Sequence, residues 1–287
     1  MKKTSLLFGL IALLSSCKKE PFDIVNLNNN QITVLGHGGM GIGQAYPMNS
    51  FESILNCLSL GADGTEIDVQ MTKDSVLVAF HDAYLEHSTH SSGQIFNKTW
   101  AEIKHSRYKD TPYTSYQIIS LEQLFQNLPN PQELQFFFDC KNFNPDTTSG
   151  YLESYARALT NFIDHYDIAE QVHIELKTKQ FIQAIKSTQA QLNIFVLYEA
   201  LDPSFALVHE FDLQGISIAV NKITKNQIRQ AHNLGIMVTV YNTHSERRNI
   251  EAIEKNVDFI QTDRLKSLIR LLHWAHKTLR TIYFLPL

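Results

Sequence analysis

Little in this chain points to a specialised class. Three cysteines in 287 residues exclude a disulfide scaffold. Twelve glycines and eight prolines exclude a fibrous or low-complexity protein. A formal net charge of -4 with no long basic run leaves no footprint for nucleic acid. The apolar run from Leu6 to Leu14 is too short to be a permanent membrane span. What remains is a globular enzyme or binding domain. A hydrophobic content of 44% over this length supports one core of barrel size better than two small ones.

The N-terminus is more specific. Lys2 and Lys3 precede the short apolar run, which is the pattern of an export signal. The run ends at Leu14-Ser15-Ser16-Cys17, which resembles the lipobox of bacterial lipoproteins. That resemblance implies a signal peptide over residues 1–16 and lipidation of Cys17. The protein would then be exported and anchored to a bacterial membrane on its periplasmic or cell-surface side, since two acyl chains give stable attachment. Residues 17–31 read as a polar tether, with Pro21 and the run Asn28-Asn29-Asn30. Cys57 and Cys140 lie in apolar patterns and are expected as buried free thiols.

From residue 32 to the end, short β-rich runs alternate with amphipathic helix-length segments. Strands are expected from Ile32 to Leu35, Gly64 to Met71, Glu133 to Cys140, Gln171 to Leu176, Asn193 to Tyr198, Gly215 to Ala219, Ile236 to Tyr241 and Asp258 to Gln261. Helices are expected near Ser50 to Leu60, Leu121 to Gln126, Leu152 to Tyr166, Lys179 to Thr188, Pro203 to Glu210, Thr224 to Leu234, Ser245 to Lys255 and Arg264 to Lys277. This is the count of an α/β (β/α)8 TIM barrel, whose active site gathers at the C-terminal strand ends. Between Val76 and about Ser120, with the excursion proper over 84–120, the alternation breaks into a polar stretch. It reads as an insertion after strand two, at the barrel mouth where substrate contacts are built. At the C-terminus, Leu268, Leu271 and Leu272 are expected to cover strand one rather than lie on a membrane. Ile282 to Leu287 are expected on the barrel floor.

The chemistry concentrates at the predicted strand ends. His37 follows strand one. Glu66 and Asp68 share a face of strand two, opposite Ile67 and Val69. Two carboxylates aimed into a barrel interior are tolerable only with a cation between them. A third oxygen ligand for Mg2+ or Ca2+ is Asp139, with Glu175 as its rival: both stand in an acid-x-Lys form, followed by Lys141 and Lys177 respectively. His37 and His81 form a candidate acid/base pair, with Asp82 able to orient His81 and Lys141 able to stabilise phosphoryl oxygens. Metal-assisted cleavage of a phosphate ester needs this set.

In order, the chain carries His37-Gly38-Gly39, Pro47-Met48-Asn49-Ser50, Gly61 to Val69 with Thr72-Lys73-Asp74, His81-Asp82, Asp139-Cys140-Lys141 and Thr262-Asp263. From Leu35 to about Leu265 it resembles the glycerophosphodiester phosphodiesterases. The resemblance implies His37 and His81 as the acid/base pair and Glu66, Asp68 and Asp139 as metal ligands, and it favours Asp139 over Glu175. The implied reaction is hydrolysis of a small or lipid-derived glycerophosphodiester to sn-glycerol 3-phosphate and an alcohol.

Three departures bear on substrate. Gly38 stands where the family has arginine, and Asp139 where it more often has glutamate. Tyr241 stands near a missing tryptophan and is a candidate for lining the glycerol pocket. Two rival functions follow: a lysophospholipid- or sphingolipid-cleaving enzyme that forms a cyclic phosphate, and an inactive ligand-binding barrel.

Overall fold

The computed structural model describes residues 22–146, 150–188, 191–198 and 200–272. The expectations for Cys17 and for Ile282 to Leu287 lie outside these residues. The strands are β1 (Thr33–Gly36), β2 (Gly64–Met71), β3 (Leu77–Ala79), β4 (Ile119–Ser120), β5 (Gln135–Cys140), β6 (Val172–Leu176), β7 (Asn193–Leu197), β8 (Gly215–Ala219), β9 (Met237–Thr243) and β10 (Phe259–Thr262). The helices are α1 (Phe51–Ser59), α2 (Trp100–Ile103), α3 (Leu121–Phe125), α4 (Tyr151–Tyr166), α5 (Lys179–Thr188), α6 (Leu201–Phe211), α7 (Lys225–Asn233) and α8 (Glu246–Glu254). Residues 265–272 are also helical. None of the described helices is long and apolar enough to cross a membrane.

Eight parallel strands close on themselves in the order β1, β2, β5 to β10, with β10 pairing back to β1. Strand alternation divides the core in two. Val34, Ile67, Phe138, Ile174, Val196, Ile218 and Val240 point outward into the helical layer. Leu35, Phe137, Phe195 and Phe259 point inward and fill the floor of the barrel. Leu268, Leu271 and Leu272 are buried in the outer layer, as the sequence suggests.

The insertion starts earlier than residue 84. Strand β1 pairs with β2 only at Gly64 and Thr65, so the upper half of β2 is free to pair antiparallel with β3, from Val69 to Met71. β3 in turn pairs with β4. The excursion between them has its own small core, Val78, Phe80, Leu85, Ile95, Ile103, Tyr108 and Ile118. It therefore rises from the barrel mouth as a packed unit rather than a loose loop.

The floor holds one polar surprise. His173 is buried, stacked on Phe137 at 4.6 Å and against Phe195 and Phe259. Its Nε2 lies 3.1 Å from Gln135 Oε1, and its Nδ1 has no partner. Burial lowers its pKa to about 3. The unfolded chain therefore binds the extra proton between about pH 3 and about 6.5, and stability rises with pH across that window. Acidification from about pH 7 to about pH 5 is expected to cost about 2 kcal/mol through this residue. Urea unfolding of the wild type and of His173→Leu checks it; equal pH slopes would refute it.

Candidate active site

Alternation along β2 sends Glu66 and Asp68 into the barrel, and β5 sends Asp139 beside them, since Asp68 and Asp139 are register partners. Carboxylate oxygens of the three lie within 4.8 Å of one another, and all three residues are buried. Glu175, the rival ligand, sits one strand further at the register position of Asp139. It accepts a hydrogen bond from Gln261 Nε2 at 2.7 Å and stands outside the cluster. Burial, then the charge of Asp139, pushes its pKa up to about 7.

Within the cluster, burial drives Glu66 well above the usual carboxylate range and raises Asp139, and the charge of Asp68 adds to both. Asp68 is equally buried but is held low by Lys141. Lys141 Nζ is 2.9 Å from Asp68 Oδ1 and also bonds Asp139; these two carboxylates outweigh burial and raise the ammonium pKa. One ammonium against three buried carboxylates leaves an excess of negative charge. Asp139 Oδ1 is buried with no hydrogen-bond partner. An all-oxygen set with an orphaned oxygen fits a hard divalent cation such as Mg2+ or Ca2+.

Asn49 completes this part of the site. It sits just ahead of α1, where Ser50 caps the helix by accepting from the Ser53 N–H. Its amide donates to Asp68 Oδ2 at 2.7 Å, and its carbonyl accepts the Asp68 N–H at 3.0 Å. Glu66 accepts the Gly38 N–H at 2.8 Å. Both contacts fix a carboxylate without neutralising it.

His37 stands above β1, with Nδ1 2.8 Å from Asp263 Oδ1. Burial opposes a charged imidazole. The Asp263 hydrogen bond and the charges of Glu66, Asp263 and Asp68 overcome it and raise the pKa of His37 to about 9. Asp263 also accepts from the Ile42 N–H at 2.9 Å and bonds His244 Nδ1. The insertion supplies His81, largely exposed, with Nδ1 3.0 Å from Asp82 Oδ1. Asp82 is bonded in turn by Ser88. His37 and His81 line the same cavity, of about 300 Å3. A larger cavity of about 530 Å3, beside Phe51, Tyr116 and Gln123, contains none of these residues. Tyr241 lies half-buried near the end of β9, on the inward face with Met237 and Thr239, outside the cavity of the two histidines.

Known proteins share this fold. Residues 40–267 match the model of the glycerophosphoryl diester phosphodiesterase family. The chain belongs to that family. A glycerophosphodiester phosphodiesterase of Caldanaerobacter subterraneus subsp. tengcongensis is 26% identical over 240 residues, covering 78% of this chain and 92% of the relative. One of Bacillus altitudinis is 31% identical over 102 residues, a match that spans only 41% of that relative. Among solved structures, a putative glycerophosphodiester phosphodiesterase from Galdieria sulphuraria superposes with a TM-score of 0.73 at 21% identity, over 85% of this chain and 98% of its own. A phosphodiesterase of Oleispira antarctica in complex with the product sn-glycerol-3-phosphate superposes with a TM-score of 0.71 at 19% identity, over 84% and 96%. These two structures share the barrel.

Against the family pattern, Gly38 has a structural explanation. Its φ is +53°, and a Cβ there would meet Met48 at 2.7 to 2.8 Å. A side chain there is strained by conformation and would require Met48 to shift. Gly38→Arg is expected to lower stability by about 1–3 kcal/mol, read by thermal unfolding, rather than to restore a phosphate contact. A variant as stable as wild type would overturn this.

Proposed function

We propose that this protein hydrolyses glycerophosphodiesters to sn-glycerol 3-phosphate and an alcohol, with Glu66, Asp68 and Asp139 holding a divalent cation and His37 and His81 exchanging protons with the attacking water and the leaving alcohol. The observation that carries this is the buried three-carboxylate cluster beside a cavity shared by two carboxylate-backed histidines. The cation would polarise the phosphoryl oxygens and stabilise their developing charge. The chain does the rest. Asp263 and Asp82 each bind Nδ1 of a histidine, leaving Nε2 of each ring for proton transfer. Lys141 adds positive charge at the cluster and would stabilise a phosphoryl oxygen held there. Tyr241, on the inward face, is assigned to the glycerol half.

A soluble diester is favoured over a membrane-embedded lipid. Asn26 donates to Val257 O at 2.8 Å, and the N–H groups of Leu27 and Asn28 donate to Asp258, all ahead of the strands, on the floor. With the anchor proposed at Cys17, the chain would be tethered by its floor, and the mouth would face away from the bilayer. The test is release of sn-glycerol 3-phosphate from glycerophosphocholine and glycerophosphoethanolamine by chelated protein with Mg2+ or Ca2+ added back. No release with either metal sinks the proposal. Mass spectrometry of the product separates hydrolysis from closure to a cyclic phosphate.

A further inference from the structure

The cavity shared by the two histidines has a composition that the reaction itself does not require. Beyond His37, His81 and Asp82, its walls include Tyr46, Phe80, Tyr108 and Tyr113, with Asp110 at the rim. Among the described residues no lysine or arginine lines it. The hydroxyls that could serve a sugar or a polyol are already committed. Tyr108 donates to Met48 O at 3.1 Å, and Tyr113 donates to Gln44 O at 2.6 Å. Ser88 donates to Asp82. These bonds latch the insertion onto the loop after β1. They leave the cavity with aromatic surface, the carboxylates of Asp82 and Asp110, the imidazole of His37 already paired with Asp263, and few free hydroxyls.

Such a lining suits a ligand that is positively charged and poor in hydrogen-bond donors, because aromatic faces attract cations and need no directional bond. The volume, about 300 Å3, lies at the small end for ligand sites. Position decides which half of a substrate goes there. The three buried carboxylates are not in the cavity wall, but Asn49, which donates to Asp68, is, so one ester arm of a phosphate held at the cluster would enter the cavity. Among the described residues, the glycerol arm, with two hydroxyls, would find only the Tyr46 hydroxyl, the Asp110 carboxylate and the Nε2 atoms that proton transfer needs.

Building on the phosphodiesterase reading, we propose that this cavity binds the leaving alcohol and selects one with a quaternary ammonium group, through the aromatic wall of Tyr46 and Tyr113 and the charge of Asp110. The test compares glycerophosphocholine with its neutral isostere, the 3,3-dimethylbutyl ester, on the purified full chain with added Mg2+ or Ca2+. The two differ in charge and barely in shape. Cation–π attraction of about 0.5–2 kcal/mol predicts that kcat/KM favours the choline ester by about 2- to 30-fold. Asp110→Asn and Tyr113→Leu should each narrow that ratio, and choline chloride should inhibit competitively. Equal kcat/KM for the two esters, or preference for glycerophosphoglycerol, would overturn the head-group assignment while leaving the hydrolase reading intact. Absence of turnover on every diester with either metal would overturn both.

Discussion

Glu66→Gln is expected to lower turnover by about three orders of magnitude, because a metal at the site contributes several kcal/mol of transition-state stabilisation and about 1.4 kcal/mol is a factor of ten. The same variant is expected to be no less stable than wild type when metal-free. Glu66 is a buried carboxylate raised by desolvation and by the charge of Asp68, so its ionised form opposes folding without a cation. The amide oxygen of glutamine keeps the bond from the Gly38 N–H. Thermal unfolding with and without Mg2+ separates the effects. At about a hundredfold excess over Kd, metal should stabilise the wild type by about 2.7 kcal/mol and the variant by much less. Full activity in the variant, or an unchanged metal-dependent shift, would show that the cluster does not hold the catalytic ion.

The barrel and this cluster were legible because they rest on short-range regularities. Alternation at Glu66, Ile67, Asp68 and Val69 told which side chains enter the barrel. The strand register brought Asp139 to Asp68; the acid-x-Lys form alone left Glu175 equally eligible, and the family resemblance favoured Asp139. The partners that orient these groups were not legible. Asn49 lies 19 residues from Asp68, and Asp263 lies 226 residues from His37; only closure of β10 onto β1 makes the second pair neighbours. Both residues stood inside recognisable motifs, which was the available signal, but a motif position does not say what a side chain touches. Gly38 carries a second constraint that sequence could not show: the family arginine is absent there, and the positive φ and the nearness of Met48 also make a side chain costly in the loop that carries His37. The neutral, half-satisfied state of the buried His173 depends on aromatic packing that no local pattern encodes.

His37→Ala is expected to lower kcat by about 10⁴-fold, the upper end for loss of a positioned proton-transfer group. Asp263→Asn should cost about 10²-fold while leaving the imidazole in place. The aspartate oxygen accepts from Nδ1 and helps raise the pKa of His37 to about 9. An asparagine can present its NH2 to that nitrogen instead, which favours the tautomer with hydrogen on Nε2 and lowers the proton affinity of the ring. Imidazole titration by NMR in the metal-free variant should therefore show a lower pKa for His37, a shift that a merely structural residue would not produce. Asp263 has other duties, since it also holds the Ile42 N–H and His244. The double variant distinguishes these from orientation. If Asp263 acts through His37, then removing the carboxylate from a protein that already lacks the imidazole costs nothing further, and the double variant matches His37→Ala. Losses that instead multiply to about 10⁶ would mean that Asp263 contributes through the β1 loop or His244. The pairing at 2.8 Å would then be an accessory of the fold rather than part of the proton-transfer apparatus.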